Sequence, residues 1–156
     1  MSGLTPVDRT LVLALQENAR LTNKELARVA GVAESTCLER VRSLQARGVI
    51  LGWHAEIDMT ALGRTIRAII SVRLQPKTTA SVYAFRQEVL AAPEALSVDT
   101  VTGADDFLVE VAVPSVERLR TFVLEHITSR TDVADTRTSL VYEHQRKTVL
   151  EFLDEG

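Results

Sequence analysis

The sequence predicts an α+β protein: an N-terminal winged helix-turn-helix followed by a ferredoxin-like βαββαβ domain. Three observations predict it. Three short helical patterns fill the first third of the chain, the last two separated only by Gly31-Val32-Ala33. Beyond residue 65 the apolar period changes from helical spacing to strict alternation. Turn and cap signals then divide the remainder into strand, helix, two strands, helix and strand.

The first helix opens at Thr5-Pro6-Val7-Asp8: Thr5 is a cap, Pro6 suits the first helical position and Asp8 completes a capping box. Val7, Leu11, Ala14 and Leu15 form its apolar face, and it ends near Asn18. Thr22 to Glu25 repeats the box for a second helix, with Leu26, Val29 and Ala30 expected inward and Gly31 ending it. A third helix over 34–47 carries Cys37, Val41 and Leu44 on one stripe. Cys37 therefore reads as a small buried hydrophobe and not as a nucleophile. Residues 49–57 are β-prone with Gly52 inside, and read as a wing or connecting strand. Residues 58–64 form a short linker with one helical turn.

Ile66, Ala68, Ile70, Val72 and Leu74 alternate with Arg67, Ile69, Ser71 and Arg73, so the first strand has one apolar face and ends at Pro76. A helix over 81–91 buries Val82, Phe85, Val89 and Leu90. Strands over 95–102 and 106–113 flank Gly103-Ala104-Asp105, Pro114-Ser115 introduces a helix running to Ile127, and 133–142 is the last strand. The order is that of a split βαβ sheet with both helices on one face. Ile69 on the other face predicts that a second subunit covers it. The expected division is 1–52 for the helix-turn-helix, 53–64 for wing and linker, 65–147 for the α/β domain, and an unassigned tail over 148–156.

Composition fits this plan. At 46% hydrophobic and 25% charged the chain is globular and not disordered, and at 4% aromatic its core must rest on Val, Leu, Ile and Ala. The opening residues do not resemble a signal peptide, and no apolar run reaches the roughly 18 residues of a membrane span, so a cytoplasmic location without membrane association is expected. Net charge is −3, yet up to Gly52 seven basic side chains face five acidic ones, leaving eleven against sixteen beyond. This asymmetry permits local attraction to phosphate in the first third. His54, His126 and His144 lie far apart without metal-ligand spacing, and no phosphate loop or nucleophile motif accompanies them, so no enzyme, metal or cofactor is expected.

An ordered set of fragments resembles the Lrp/AsnC (feast/famine) regulators over about residues 4–147. They are Leu4 and Asp8-Arg9, Glu25-Leu26-Ala27, Val32, Arg40-Val41, Leu44, Gly48-Val49-Ile50, Gly52-Trp53, Leu62-Gly63, Val101-Thr102-Gly103, Asp106-Phe107-Leu108 and the segment 136–147. The resemblance implies a winged helix-turn-helix reading double-stranded DNA and a domain of the regulator-of-amino-acid-metabolism (RAM) type that dimerises through its sheet. It also implies assembly from dimers to octamers, with an amino acid or related effector bound near the Gly103 turn. The chain departs from the family at Ala33, where a capping Ser is usual; such a loss costs a helix about 0.5 to 2 kcal/mol unless Glu34 compensates through the helix dipole.

In a recognition helix the exposed residues of the first turns meet bases and later basic residues meet backbone. With Cys37, Val41 and Leu44 inward, the candidates are Ser35, Thr36, Glu39, Arg40, Ser43 and Arg47. Arg40 is the first choice for a bidentate contact to guanine; its alternative is a pair with a neighbouring carboxylate. Ser35 and Thr36 are phosphate contacts or caps. The effector candidates are Gly103, Ala104, Asp105, Asp106, Ala134 and Thr136: two adjacent carboxylates suit an ammonium group, the alternative being an ordinary hairpin turn with solvated acids. A rival to DNA binding is a ligand-binding α/β module whose helix-turn-helix docks protein.

Overall fold

The computed structural model describes residues 3–153. They form two compact units: one combines the N-terminal residues to Glu56 with the chain from Gln145 onward, and the other spans Ile57–His144.

In the first unit α1 is Pro6–Glu17, α2 is Asn23–Ala30 and α3 is Glu34–Ala46. Both expected capping boxes are present. The Thr5 hydroxyl accepts from the Asp8 amide at 3.2 Å while the Asp8 carboxylate accepts from the Thr5 amide at 3.0 Å, and Thr22 and Glu25 reciprocate in the same way. Gly31, at φ 66°, ends α2 in the left-handed conformation and lets the chain turn directly into α3. Leu11, Ala14, Leu15, Leu26, Ala27, Cys37 and Leu44 make the core, with Val41, Ala30 and Ile50 packed at its margin.

Val29, expected inward, is 51% exposed, and Ala27 takes the buried place instead. At about 100° per residue, Leu26, Ala27 and Ala30 share one arc while Val29 falls beyond its edge. The expected wing or connecting strand is also absent. Residues 51–58 form no strand within the chain, and Leu51 is 92% exposed. β-prone residues make a strand only where a neighbour completes the hydrogen-bond ladder, and this unit supplies none. The C-terminal segment joins the unit through a polar clamp. The Gln16 side-chain amide donates to the Leu150 carbonyl at 3.1 Å and accepts from the Leu150 amide at 2.8 Å, and the Arg9 guanidinium lies 5.0 Å from the centre of the Phe152 ring.

The second unit opens with a 3₁₀ turn, Thr60–Leu62, then β1 Ile66–Leu74, α4 Thr79–Leu90, β2 Ala95–Thr100, β3 Phe107–Val113, α5 Val116–Phe122 and β4 Val133–Leu140. The sheet runs β2-β3-β1-β4 and is antiparallel throughout, the ferredoxin-like order. Ala68, Ile70, Val72 and Leu74 of β1 are buried, as their alternation predicts, and Phe85 of α4 stacks on Phe107 of β3 at 4.5 Å between centroids. Leu90, expected inside, is exposed at the last residue of α4.

The second helix is not uniform. After Phe122 it continues as a π-helix over Val123–Thr128. In an α-helix of about 3.6 residues per turn, five residues overshoot one turn by well over a third. The π turn bonds i to i+5, which brings Ile127 back onto the face of Phe122, and both are fully buried.

Candidate DNA-binding and effector-binding surfaces

The core contacts of α3 fix which of its faces is free. With Cys37 and Leu44 inward, the arc directly opposite holds Ser35, Glu39 and Arg42, flanked by Leu38 and Ser43. All five are exposed. The Arg42 side chain makes no ion pair or hydrogen bond among the described residues. Thr36 and Arg40 lie half-buried on the flank that faces α1.

Arg40, the first choice for a base contact, is committed elsewhere: its Nη1 is 3.5 Å from Oδ1 of Asp8, and Nη1 of Arg47 is 3.9 Å from Oδ2 of the same carboxylate. The alternative raised for Arg40 is a neighbouring carboxylate on a solvated face; the partner here is instead the buried carboxylate of Asp8 on α1. Burial pushes the Asp8 carboxyl up, but hydrogen bonds from Thr5 and the two guanidiniums outweigh it and hold the group below its ordinary value. Sequence reasoning passed over Arg42, although its position seven residues after Ser35 and three after Glu39 puts it on their arc. Lys24 and Arg28 were passed over too. One helical turn apart on α2, they border an open groove of about 730 Å³ that Val32, Ala33 and Glu34 close on the α3 side. Ala33 caps α3 without a side-chain hydrogen bond, and the Asn23 side chain donates to the Glu34 carbonyl beside it at 2.8 Å.

The hairpin between β2 and β3 turns at Gly103, whose φ of 120° belongs to glycine. Gly103 and Ala104 are exposed. The two carboxylates expected to await an ammonium group are both engaged. Asp105 receives Nη2 of Arg137 on both oxygens, at 2.6 and 2.7 Å. Asp106 is buried, accepts from the Leu74 amide at 2.8 Å and pairs with Nζ of Lys77 at 2.5 Å, which hold its carboxyl below the ordinary value. Asp106 is thus a strut between β3 and the end of β1. Arg137, which sequence reasoning missed, ties the hairpin to β4 and also lies 3.9 Å from Asp135. Ala134 is exposed, and Thr136 is half-buried with a buried hydroxyl oxygen that has no hydrogen-bond partner. On the sheet face away from the helices, Ile69, Ser97, Asp99, Leu108 and Glu110 line a hollow of about 120 Å³.

Cys37 is fully buried, and burial raises its thiol above the ordinary value, so it is a packing residue. Among the described residues no group of three His, Cys, Asp or Glu side chains is placed to hold a metal, and no helix is long and apolar enough to cross a membrane.

A helix-turn-helix with an exposed polar face on its third helix, joined in one chain to a ferredoxin-like α/β unit, defines a two-part DNA-binding regulator. Comparison with known proteins gives the family. The AsnC-type helix-turn-helix domain matches residues 4–45 and the Lrp/AsnC ligand binding domain matches residues 67–149. The HTH-type transcriptional regulator AldR of Mycolicibacterium smegmatis is 42% identical over 143 residues, covering 92% of this chain and 84% of that protein. The leucine-responsive regulatory protein of Rhizobium meliloti is 33% identical, covering 88% of each. Among solved structures, a transcriptional regulator from Neisseria meningitidis in complex with L-Met superposes with a TM-score of 0.87 at 29% identity, covering 95% of this chain and 96% of that one. The chain belongs to the Lrp/AsnC family of transcriptional regulators, and the family is not one of enzymes.

Proposed function

We propose that the protein binds double-stranded DNA through the outward face of α3, with Arg42, Ser35 and Glu39 meeting base edges and Lys24 and Arg28 of α2 meeting phosphate. The carrying observation is that Arg42 is the basic side chain at the centre of that face and has no partner among the described residues. Arg is the side chain best suited to a bidentate contact with guanine, and Glu39 suits a cytosine amino group. The exposed Leu38 on the same helix supports a second reading, docking to protein.

The effector is an amino acid or a related small metabolite, and its site is the Gly103 turn with the start of β4. Supporting this, the Asp105–Arg137 pair carries both charges that a zwitterion needs, and exposed Gly103 and Ala134 leave room for a side chain. The relative from Neisseria meningitidis was solved with L-Met. Copies of this chain pair through the outer sheet face around Ile69 and Leu108, which a monomer leaves in water. Each dimer then presents two copies of α3 about one DNA turn apart on a pseudo-palindromic site. The effector shifts geometry or assembly by its differential affinity for two states. Such a regulator works in the cytoplasm.

A titration against the DNA upstream of its own coding region and an unrelated duplex, at two salt concentrations and with a panel of amino acids, tests this. The expected result is selective binding that weakens with salt and responds to one amino acid. Arg42→Ala should lose about ten- to a hundredfold in affinity for the selected site, the range of one bidentate contact. Binding that is neither selective nor salt-dependent would favour the protein-docking reading, since only phosphate contacts release counterions.

A further inference from the structure

Asp8 stands at the first turn of α1, outside every surface assigned so far, yet it touches α3 twice. Its carboxylate is buried to within 2% of its side-chain surface, and both oxygens are used: Oδ1 faces Arg40, while Oδ2 faces Arg47 and accepts from the Thr5 amide. Arg40 and Arg47 are seven residues apart, two helical turns, so one carboxylate pins the same stripe of α3 at two heights. The two arginine side chains themselves remain 43% and 34% exposed. A buried carboxylate fixed by its own helix cannot swing away, whereas the two arginines have long stems that can.

We propose that Asp8 is a positioning residue that sets DNA selectivity: it holds Arg40 and Arg47 against α1, fixing the rotation of α3 and keeping two long, adaptable cations from gripping phosphate at any sequence. The inference rests on the DNA-binding reading above. A guanidinium held by a carboxylate presents less charge to a phosphate than a free one does, and phosphate contacts carry no sequence information. Base reading then falls to the Ser35, Glu39 and Arg42 arc, whose angle the pair sets.

Asp8→Asn is the test, because an asparagine oxygen still accepts from the Thr5 amide while the charge is gone. Binding to an unrelated duplex is expected to tighten about tenfold at low salt. Its salt dependence should steepen by about one to two in log K against log salt, as one or two further phosphates are neutralised. The selected site should gain less, so the specificity ratio falls. Arg40→Gln and Arg47→Gln should reverse the steepening in the Asp8→Asn background and shift the slope less in the wild type. Thr5→Ala, which removes the cap hydroxyl and leaves the ion pairs, should lower stability without moving the slope. An Asp8→Asn protein with the wild-type slope and ratio, or a Thr5→Ala protein that moves them equally, overturns the proposal.

A DNA-free readout covers the case in which Asp8→Asn does not fold. In wild-type protein the Nη–H protons of Arg40, whose Nη1 donates to Asp8, should exchange with solvent at least severalfold more slowly than those of Arg42, and equal rates overturn the proposal. Failure of the wild type to select any DNA is a separate outcome: it sinks the DNA-binding reading and this inference with it, while slow exchange would still report the ion pairs.

Discussion

Ala33 occupies the N-cap of α3 with φ −68° and ψ 151°, the backbone geometry of a capping residue, but brings no acceptor to the free amides of the first turn. The caps of α1, α2 and α4 are threonines that close capping boxes. Ala33→Ser should therefore stabilise the first unit by about 0.5 to 2 kcal/mol, read as a raised midpoint in thermal or urea unfolding. An unchanged midpoint would mean that Glu34, through the helix dipole, already does that work. The caps of α1 and α2 were legible in the sequence because donor and acceptor lie three residues apart; that of α4 was not, since the helix was expected to start at Ser81 and starts at Thr79 behind Thr78. The fate of Arg40 was not, because Asp8, its partner, lies 32 positions away and only the packing of α1 on α3 unites them. The same packing moves the outward arc onto Arg42.

Among elements, the strands were legible wherever one face is buried. Alternation in β1 predicted Ala68, Ile70, Val72 and Leu74 inside, and the register places Ile70 opposite Val109 and Thr138. The π-helical end of the second helix was not legible, since a π turn leaves the local residue preferences unchanged and answers a packing demand for Ile127. Nor was the role of Asp106, which read as a turn acid and serves as a tie from β3 to Leu74 and Lys77. Its folded carboxyl sits below its ordinary value of 3.8, chiefly through the hydrogen bond from Lys77. That stabilisation is fully present above the unfolded value and is lost as pH falls through the folded one. Asp106→Asn should cost the α/β unit about 1 to 2 kcal/mol at pH 7, allowing for the exposure of Lys77, and should flatten the loss of stability between pH 5 and about pH 2. Urea midpoints across that range measure it; a loss as steep as in the wild type would assign the acid sensitivity to other carboxylates such as Glu94, which pairs with Arg118.

At the scale of the whole molecule, the first unit is built from both ends of the chain. The tail carried no legible assignment because its anchor is a two-way bond between Gln16 and the Leu150 backbone, 134 positions apart. Truncation after His144 should lower the unfolding midpoint of the N-terminal unit and leave that of the α/β unit in place, and Gln16→Ala should reproduce part of the loss, about 0.5 to 1.5 kcal/mol. Two-wavelength unfolding, following Trp53 for one unit and Tyr83 with Tyr142 for the other, separates the transitions. Equal shifts in both would show that the tail serves the α/β unit.

This discontinuity also bears on the order in which the two units can close. Chains usually complete their domains from the N-terminus forward. Here residues 57–144, which carry the whole sheet and both its helices, precede in the chain Leu150 and Phe152, which close the unit in which α1 to α3 lie. The segment that is translated first is finished last. The α/β unit can therefore be complete while the helical unit still lacks its final tie.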